Sequence, residues 1–284
     1  MKNRLLGALL ILVLLLPLSC VGPAQSDRLV VLATVLPQAD MVRQVGGDNI
    51  EVIVMVPPGQ DPHTYQLGVS QMVKVSQAKA YFILGSGLDF ERTSLENIKA
   101  QNQEMRIFDT SKEIEIEGND PHIWLSVTNA KVMVQNICDG LTEIDLTNAD
   151  YYQSNCDRYL DELVGLDEYI RDKFDGVDED ERYFLVYHPA FTYFASEYGL
   201  TQLAVEEEGK ESGFDRVRII EEARAHDIDY IFVDPWSKAQ QEQAELLAVD
   251  IGPDVEVKTL DPLPESYIEG MKEITDLIYK EIAS

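Results

Sequence analysis

Short apolar runs rich in β-branched residues recur along this chain, with polar, helix-forming stretches between them. They fall at 29–33, 52–56, 81–84 and 105–108, and again at 183–187, 202–205, 230–233 and 255–260. Near-continuous apolar runs this short describe strands buried on both faces. Stretches at 40–45, 70–79, 191–198, 214–226 and 238–247 carry helical spacing instead. Strand–helix alternation predicts an α/β fold of parallel sheets covered by helices. Two sets of strands predict two lobes, each a parallel β-sheet flanked by helices, over 29–146 and 176–284.

Between the sets the period changes. Tyr152, Cys156, Tyr159, Leu160, Leu163, Leu166, Ile170 and Phe174 recur at three- and four-residue spacing, with Asp150 in the first turn and Gly176 at the end. That pattern predicts one helix over 147–175, roughly 27 residues and about 40 Å long. Such a rod joining two lobes restrains them far more than a flexible linker would. Gly165 is its weak interior position.

Residues 1–20 read as an export signal: Lys2 and Arg4, an apolar run from Leu5 to Leu16, then Ser19 and Cys20. About 12 apolar residues fall short of the roughly 20 that span a bilayer. A small residue before a cysteine resembles a lipobox, which makes Cys20 the expected lipidated residue, although Pro17 stands where leucine is usual. Residues 21–28 are expected to form a tether, leaving the protein exported and anchored to the outer face of the membrane. Outside the cytosol Cys138 and Cys156 could pair, but buried free thiols are the expectation.

The 284 residues carry 51 acidic against 23 basic side chains, a formal charge of −28. This excludes nucleic acid and anionic lipid surfaces as partners bound through basic patches. It is chiefly a statement about a solvated acidic surface.

The candidate chemistry lies in the histidines. Three of the four sit beside proline at turns or strand ends, in Pro62-His63-Thr64-Tyr65, Asp120-Pro121-His122-Ile123-Trp124 and Tyr187-His188-Pro189-Ala190. Proline stiffens the neighbouring backbone, and imidazole is the commonest metal-ligand side chain. In parallel sheets ligands bind outside the carboxyl ends of the strands, where these residues fall. His226, at a helix end, is not a candidate. Asp234 and Asp261 both end strands and both precede proline, so spacing does not separate them. Trp124 and Tyr65 read as packing residues, and Glu206-Glu207-Glu208 as a solvated loop.

Taken in order, several motifs resemble the metal-binding lipoproteins that deliver zinc or manganese to ABC importers. They are Ala33-Thr34-Val35-Leu36-Pro37, Gly59-Gln60-Asp61-Pro62-His63-Thr64-Tyr65, Asp120-Pro121-His122-Ile123-Trp124-Leu125-Ser126, His188-Pro189-Ala190-Phe191 and Leu260-Asp261-Pro262-Leu263. The resemblance implies four metal ligands, His63, His122, His188 and Asp261, in a cleft between the lobes. Asp234 falls where relatives carry a glutamate that does not touch the metal. It also implies an importer permease and its ATPase as partners, and no enzymatic activity.

Two features depart from the pattern. Gly85 to Asp120 lacks the histidine-rich loop of many zinc members, and Gly209-Lys210-Glu211-Ser212-Gly213 lacks the usual proline before the following helix.

Three imidazoles and a carboxylate suit one zinc ion per chain. Manganese members resemble this sequence except for a glutamate where His188 stands, so manganese or iron is the alternative cargo. A zinc hydrolase is the rival from another class, but the chain has no His-Glu-x-x-His helix and no Gly-x-Ser-x-Gly elbow. An adhesin would be compatible with the same fold. No apolar stripe suggests a dimer, and a monomer is expected.

Overall fold

A computed structural model describes residues 28–178, 181–206 and 216–283. Cys20, the export signal and the stretch 207–215 lie outside the described residues. The first lobe runs β1 (Leu29–Ala33), α1 (Leu36–Gly46), β2 (Ile50–Val54), α2 (Val69–Val75), β3 (Ala80–Ile83), α3 (Asp89–Gln101), β4 (Arg106–Asp109) and α4 (Val127–Ile144). Then comes α5 (Ala149–Phe174), followed by β5 (Tyr183–Val186), α6 (Thr192–Tyr198), β6 (Thr201–Ala204), α7 (Arg216–Ala225), β7 (Tyr230–Val233), α8 (Lys238–Ile251), β8 (Glu256–Thr259) and α9 (Tyr267–Ile282).

All ladders are parallel, in the orders β2-β1-β3-β4 and β6-β5-β7-β8. The two sheets repeat one topology. In each, the chain leaves the first strand for one side of the sheet and returns to the other. The crevices where the connections diverge are therefore at β1/β3 and β5/β7. The second strand begins two residues earlier than its apolar run suggests, because Leu29 pairs with Ile50. The first helix begins at Leu36, with Pro37 in its first turn, where a missing N–H costs nothing.

The linking helix occupies Ala149–Phe174, close to its expected span. Its apolar stripe of Tyr152, Cys156, Tyr159, Leu163, Leu166, Ile170 and Phe174 is fully buried. It packs on α1 and α4 from one lobe and on α6 and α9 from the other, so one continuous apolar cluster runs through both lobes. Cys138 and Cys156 are buried with free thiols between α4 and α5.

Direct contacts reinforce this rod. The Trp124 indole N–H donates to the Pro262 carbonyl at 2.7 Å, and the Tyr267 hydroxyl donates to the Trp124 carbonyl at 2.7 Å. The Tyr193 hydroxyl accepts from the Glu117 N–H at 2.8 Å and donates to the Asp120 carbonyl at 3.2 Å. Because these bonds tie the lobes beside the cleft itself, wide opening would have to break them.

Candidate metal centre

Loops after β2, β4 and β5 carry His63, His122 and His188 into one cleft between the lobes. The first two arrive on the same local device. In Asp61-Pro62-His63 and in Asp120-Pro121-His122 the histidine N–H donates to its own aspartate Oδ1, at 2.8 and 2.9 Å. This Asx turn, stiffened by the intervening proline, fixes where the imidazole leaves the backbone. Ser86 adds a further tie, its hydroxyl donating to the Pro121 carbonyl at 2.7 Å.

The three rings converge through their Nε2 atoms. His122 Nε2 lies 3.3 Å from Nε2 of His63 and 3.3 Å from Nε2 of His188, and one donor atom from each ring falls within 4.8 Å of the others. On the far sides stand carboxylates: Asp120 Oδ1 at 2.7 Å from His122 Nδ1, and Asp89 Oδ2 at 3.2 Å from His63 Nδ1. Glu206 Oε2 stands 3.7 Å from His188 Nδ1. A carboxylate at Nδ1 holds the proton there and leaves Nε2 a bare lone pair, the tautomer a metal ligand needs.

Burial pushes the His122 imidazole down to about 4, opposed by Asp120 and assisted by the other two rings. It is therefore neutral at ordinary pH and ready to donate. Asp120 Oδ2 is buried without a hydrogen-bond partner. A cation on His122 would supply that carboxylate with charge it otherwise lacks.

Asp261, expected as a fourth ligand, is not brought to the three imidazoles. Its Oδ1 accepts from the Leu263 N–H at 2.8 Å, the same turn that Asp61 and Asp120 make. In Asp261-Pro262-Leu263 the residue presented to the cleft is leucine. Asp261 instead lines a separate cavity of about 340 Å³ with Glu265, Glu269 and Glu273. Asp234 does line the cleft, a cavity of about 1380 Å³ that also holds the three histidines. It is only 8 % exposed, and burial raises its carboxyl to about 6. Among the described residues, no carboxylate oxygen joins the tight group of three imidazoles.

His226 lies away from the site, stacked on Tyr183 at 3.5 Å between ring centroids. Trp124 is fully buried, edge-on to His122 at 5.3 Å. Glu206, read as part of a solvated loop, faces His188, and Asp89 and Asp120 also escaped the sequence reading as orienting groups. The repeated Asp-Pro-His triplet was the available signal for Asp120. Asp89 and Glu206 had none, since each meets its histidine only through the fold.

Comparison with known proteins supplies the remaining observations. Residues 31–281 match the family described as zinc-uptake complex component A, periplasmic (ZnuA). The chain is 32% identical over 227 residues to an iron ABC transporter substrate-binding lipoprotein, MtsA, of Streptococcus pyogenes serotype M1, covering 73% of each chain. It is 30% identical over 206 residues to a manganese ABC transporter substrate-binding lipoprotein, PsaA, of Streptococcus mitis, covering 66% of each. A crystal structure of ZnuA superposes with a TM-score of 0.84 at 32% identity, over 90% of this chain and 100% of that one.

Proposed function

We propose, for a chain that belongs to the zinc-uptake complex component A periplasmic family, that it captures a divalent metal ion outside the cytoplasm and hands it to the permease of an ABC importer. The observation that carries this reading is the convergence of three Nε2 atoms. Two nitrogens bound to one zinc at about 2.05 Å with tetrahedral angles stand roughly 3.3 Å apart, and His122 Nε2 lies 3.3 Å from each of the other two Nε2 atoms.

Three imidazoles favour zinc over manganese, which takes more oxygen. Iron and manganese, the cargoes in the names of the two lipoproteins above, are the alternative. The ion sits on His63, His122 and His188. Acid releases it by protonating them. Because the lobes are tied beside the cleft, delivery proceeds by a small tilt and loop movement rather than wide closure. The protein works as a monomeric carrier, tethered through a lipid on Cys20, with the permease and its ATPase as partners and no catalytic step of its own.

Metal content by mass spectrometry, after dialysis against mixed zinc and manganese, tests the reading on the unsubstituted protein and on His188→Glu. One zinc per chain, shifting toward manganese in the variant, is expected. No stoichiometric metal would refute the carrier assignment, and manganese in the unsubstituted protein would refute the cargo.

A further inference from the structure

The first sheet fills its own ligand crevice. Thr34 directly follows β1, and Leu84 and Gly85 follow β3, so they flank the point where the connections diverge. Open parallel sheets bind ligands at such points. Here a side chain of the protein itself stands there. Glu91, in the first turn of α3, is only 5 % exposed. One of its oxygens accepts the Leu84 N–H at 2.6 Å and the Thr34 hydroxyl, and the other accepts the Gly85 N–H at 3.0 Å. Burial pushes the carboxyl up, and these three donors oppose it. Beyond Thr34 the bonds continue through Gln38, which accepts the Thr34 N–H at 2.7 Å and donates to the Thr110 hydroxyl at 3.1 Å. The carboxylate is thus pinned to the ends of β1 and β3 and, through Gln38, to the end of β4.

What this grip encloses bears on the metal centre. Gly85 and Gly87 take φ of 75° and 93°, so the turn from β3 into α3 does not fix its own shape. Leu88, at the N-cap of α3, makes no side-chain cap bond. Within the same turn lie Ser86, which holds the Pro121 carbonyl beside His122, and Asp89, which meets Nδ1 of His63. The second lobe repeats the position with a different result. Gln240 is the third residue of α8, as Glu91 is of α3, and it accepts the N–H of the residue directly after β7. There Ser237 caps the helix as well, so Gln240 is a second tie. In the first lobe Glu91 holds the turn without such a cap.

We propose that Glu91 is a positioning residue for both first-lobe histidines, acting through Asp89 on His63 and through Ser86 on His122. The inference rests on the three-histidine reading above and deepens it, since a single buried carboxylate then sets two ligands in register.

NMR of the imidazole nitrogens tests this in the metal-free protein. In mildly alkaline buffer, where free imidazoles are neutral, it reads the tautomer of each ring. His63 is expected with its proton on Nδ1. In Glu91→Gln, whichever way the amide turns, one of the donors meets an N–H. His63 should then move toward a mixture of tautomers, while His188, on the other lobe, keeps its resonances. Zinc affinity, by chelator competition, should fall about tenfold. In Asp89→Asn, where that support is already gone, the same substitution should cost no more than about threefold. Glu91→Asp keeps the charge but shortens the arm, and it carries the same test if Glu91→Gln does not fold. A lowered melting temperature with the His63 tautomer and the affinity unchanged overturns the proposal. So do equal shifts at His188, or losses that multiply fully with Asp89→Asn. An unsubstituted protein that binds no zinc would instead overturn the three-histidine reading, and the tautomers of the metal-free protein would still decide the role of Glu91.

Discussion

The two lobes contribute unequally to the centre. The first supplies two histidines, each on an Asp-Pro-His turn and each with a carboxylate within hydrogen-bond reach of Nδ1. The second supplies His188 from the end of a strand, with Glu206 Oε2 3.7 Å from its Nδ1. Its own Asp-Pro turn, at Asp261, delivers a leucine. One half is thus held by local turns within a single lobe, and the other comes from a strand end across the cleft. Preorganisation is cheapest to build where both ligands share one rigid lobe, and release is easiest where the third stands on the other.

The comparison breaks most directly at its centre. His122→Ala should abolish tight binding, exceeding the roughly 10–100-fold loss expected for an orienting residue, as read by competition with a zinc chelator. Within the orienting carboxylates a gradient is expected. Asp120→Asn should lose most, up to about 100-fold, because Asp120 meets a buried ring at 2.7 Å. Asp89→Asn should lose about tenfold and Glu206→Gln less than about threefold. Equal losses at Asp120 and Glu206 would erase the asymmetry between lobes.

Acid sharpens the same contrast in the metal-free protein. His122 takes a proton near 6.5 when unfolded and only near 4 when folded. The unfolded chain therefore binds protons first, so this contribution to stability is complete above about pH 6.5 and is lost as pH falls toward 4. Melting temperatures across that window should fall less steeply in His122→Gln. The smallest effect belongs to the connection between the lobes. A Cβ at Gly165 would meet nothing within 4 Å, so Gly165→Ala should stabilise by about 0.5–1 kcal/mol with affinity unchanged. A change in affinity would show that bending of α5 matters to capture.

The lobes and the linking helix were legible because their signals are local. Strand runs, the stripe from Tyr152 to Phe174 and the proline-flanked histidines need no knowledge of what packs where. Asp261 shows the limit. Two aspartates followed by proline look alike along the chain, and the structure sets Asp234 in the cleft with the histidines and Asp261 in a separate cavity. Asp89 and Glu206 were invisible for a related reason. Each is an ordinary acidic residue among 51, and becomes an orienting group only when the fold carries it to a histidine from a distant segment.

The carboxylate behind His122 has a consequence for the heat of binding. With the Nδ1 proton held by Asp120 and Nε2 already bare near neutrality, His122 surrenders no proton when the ion arrives. The most buried of the three imidazoles thus makes no demand on the buffer. Its share of the binding enthalpy is the same in buffers of high and low ionisation heat, and the ion meets no competition from hydrogen ions at that position until the medium is strongly acid.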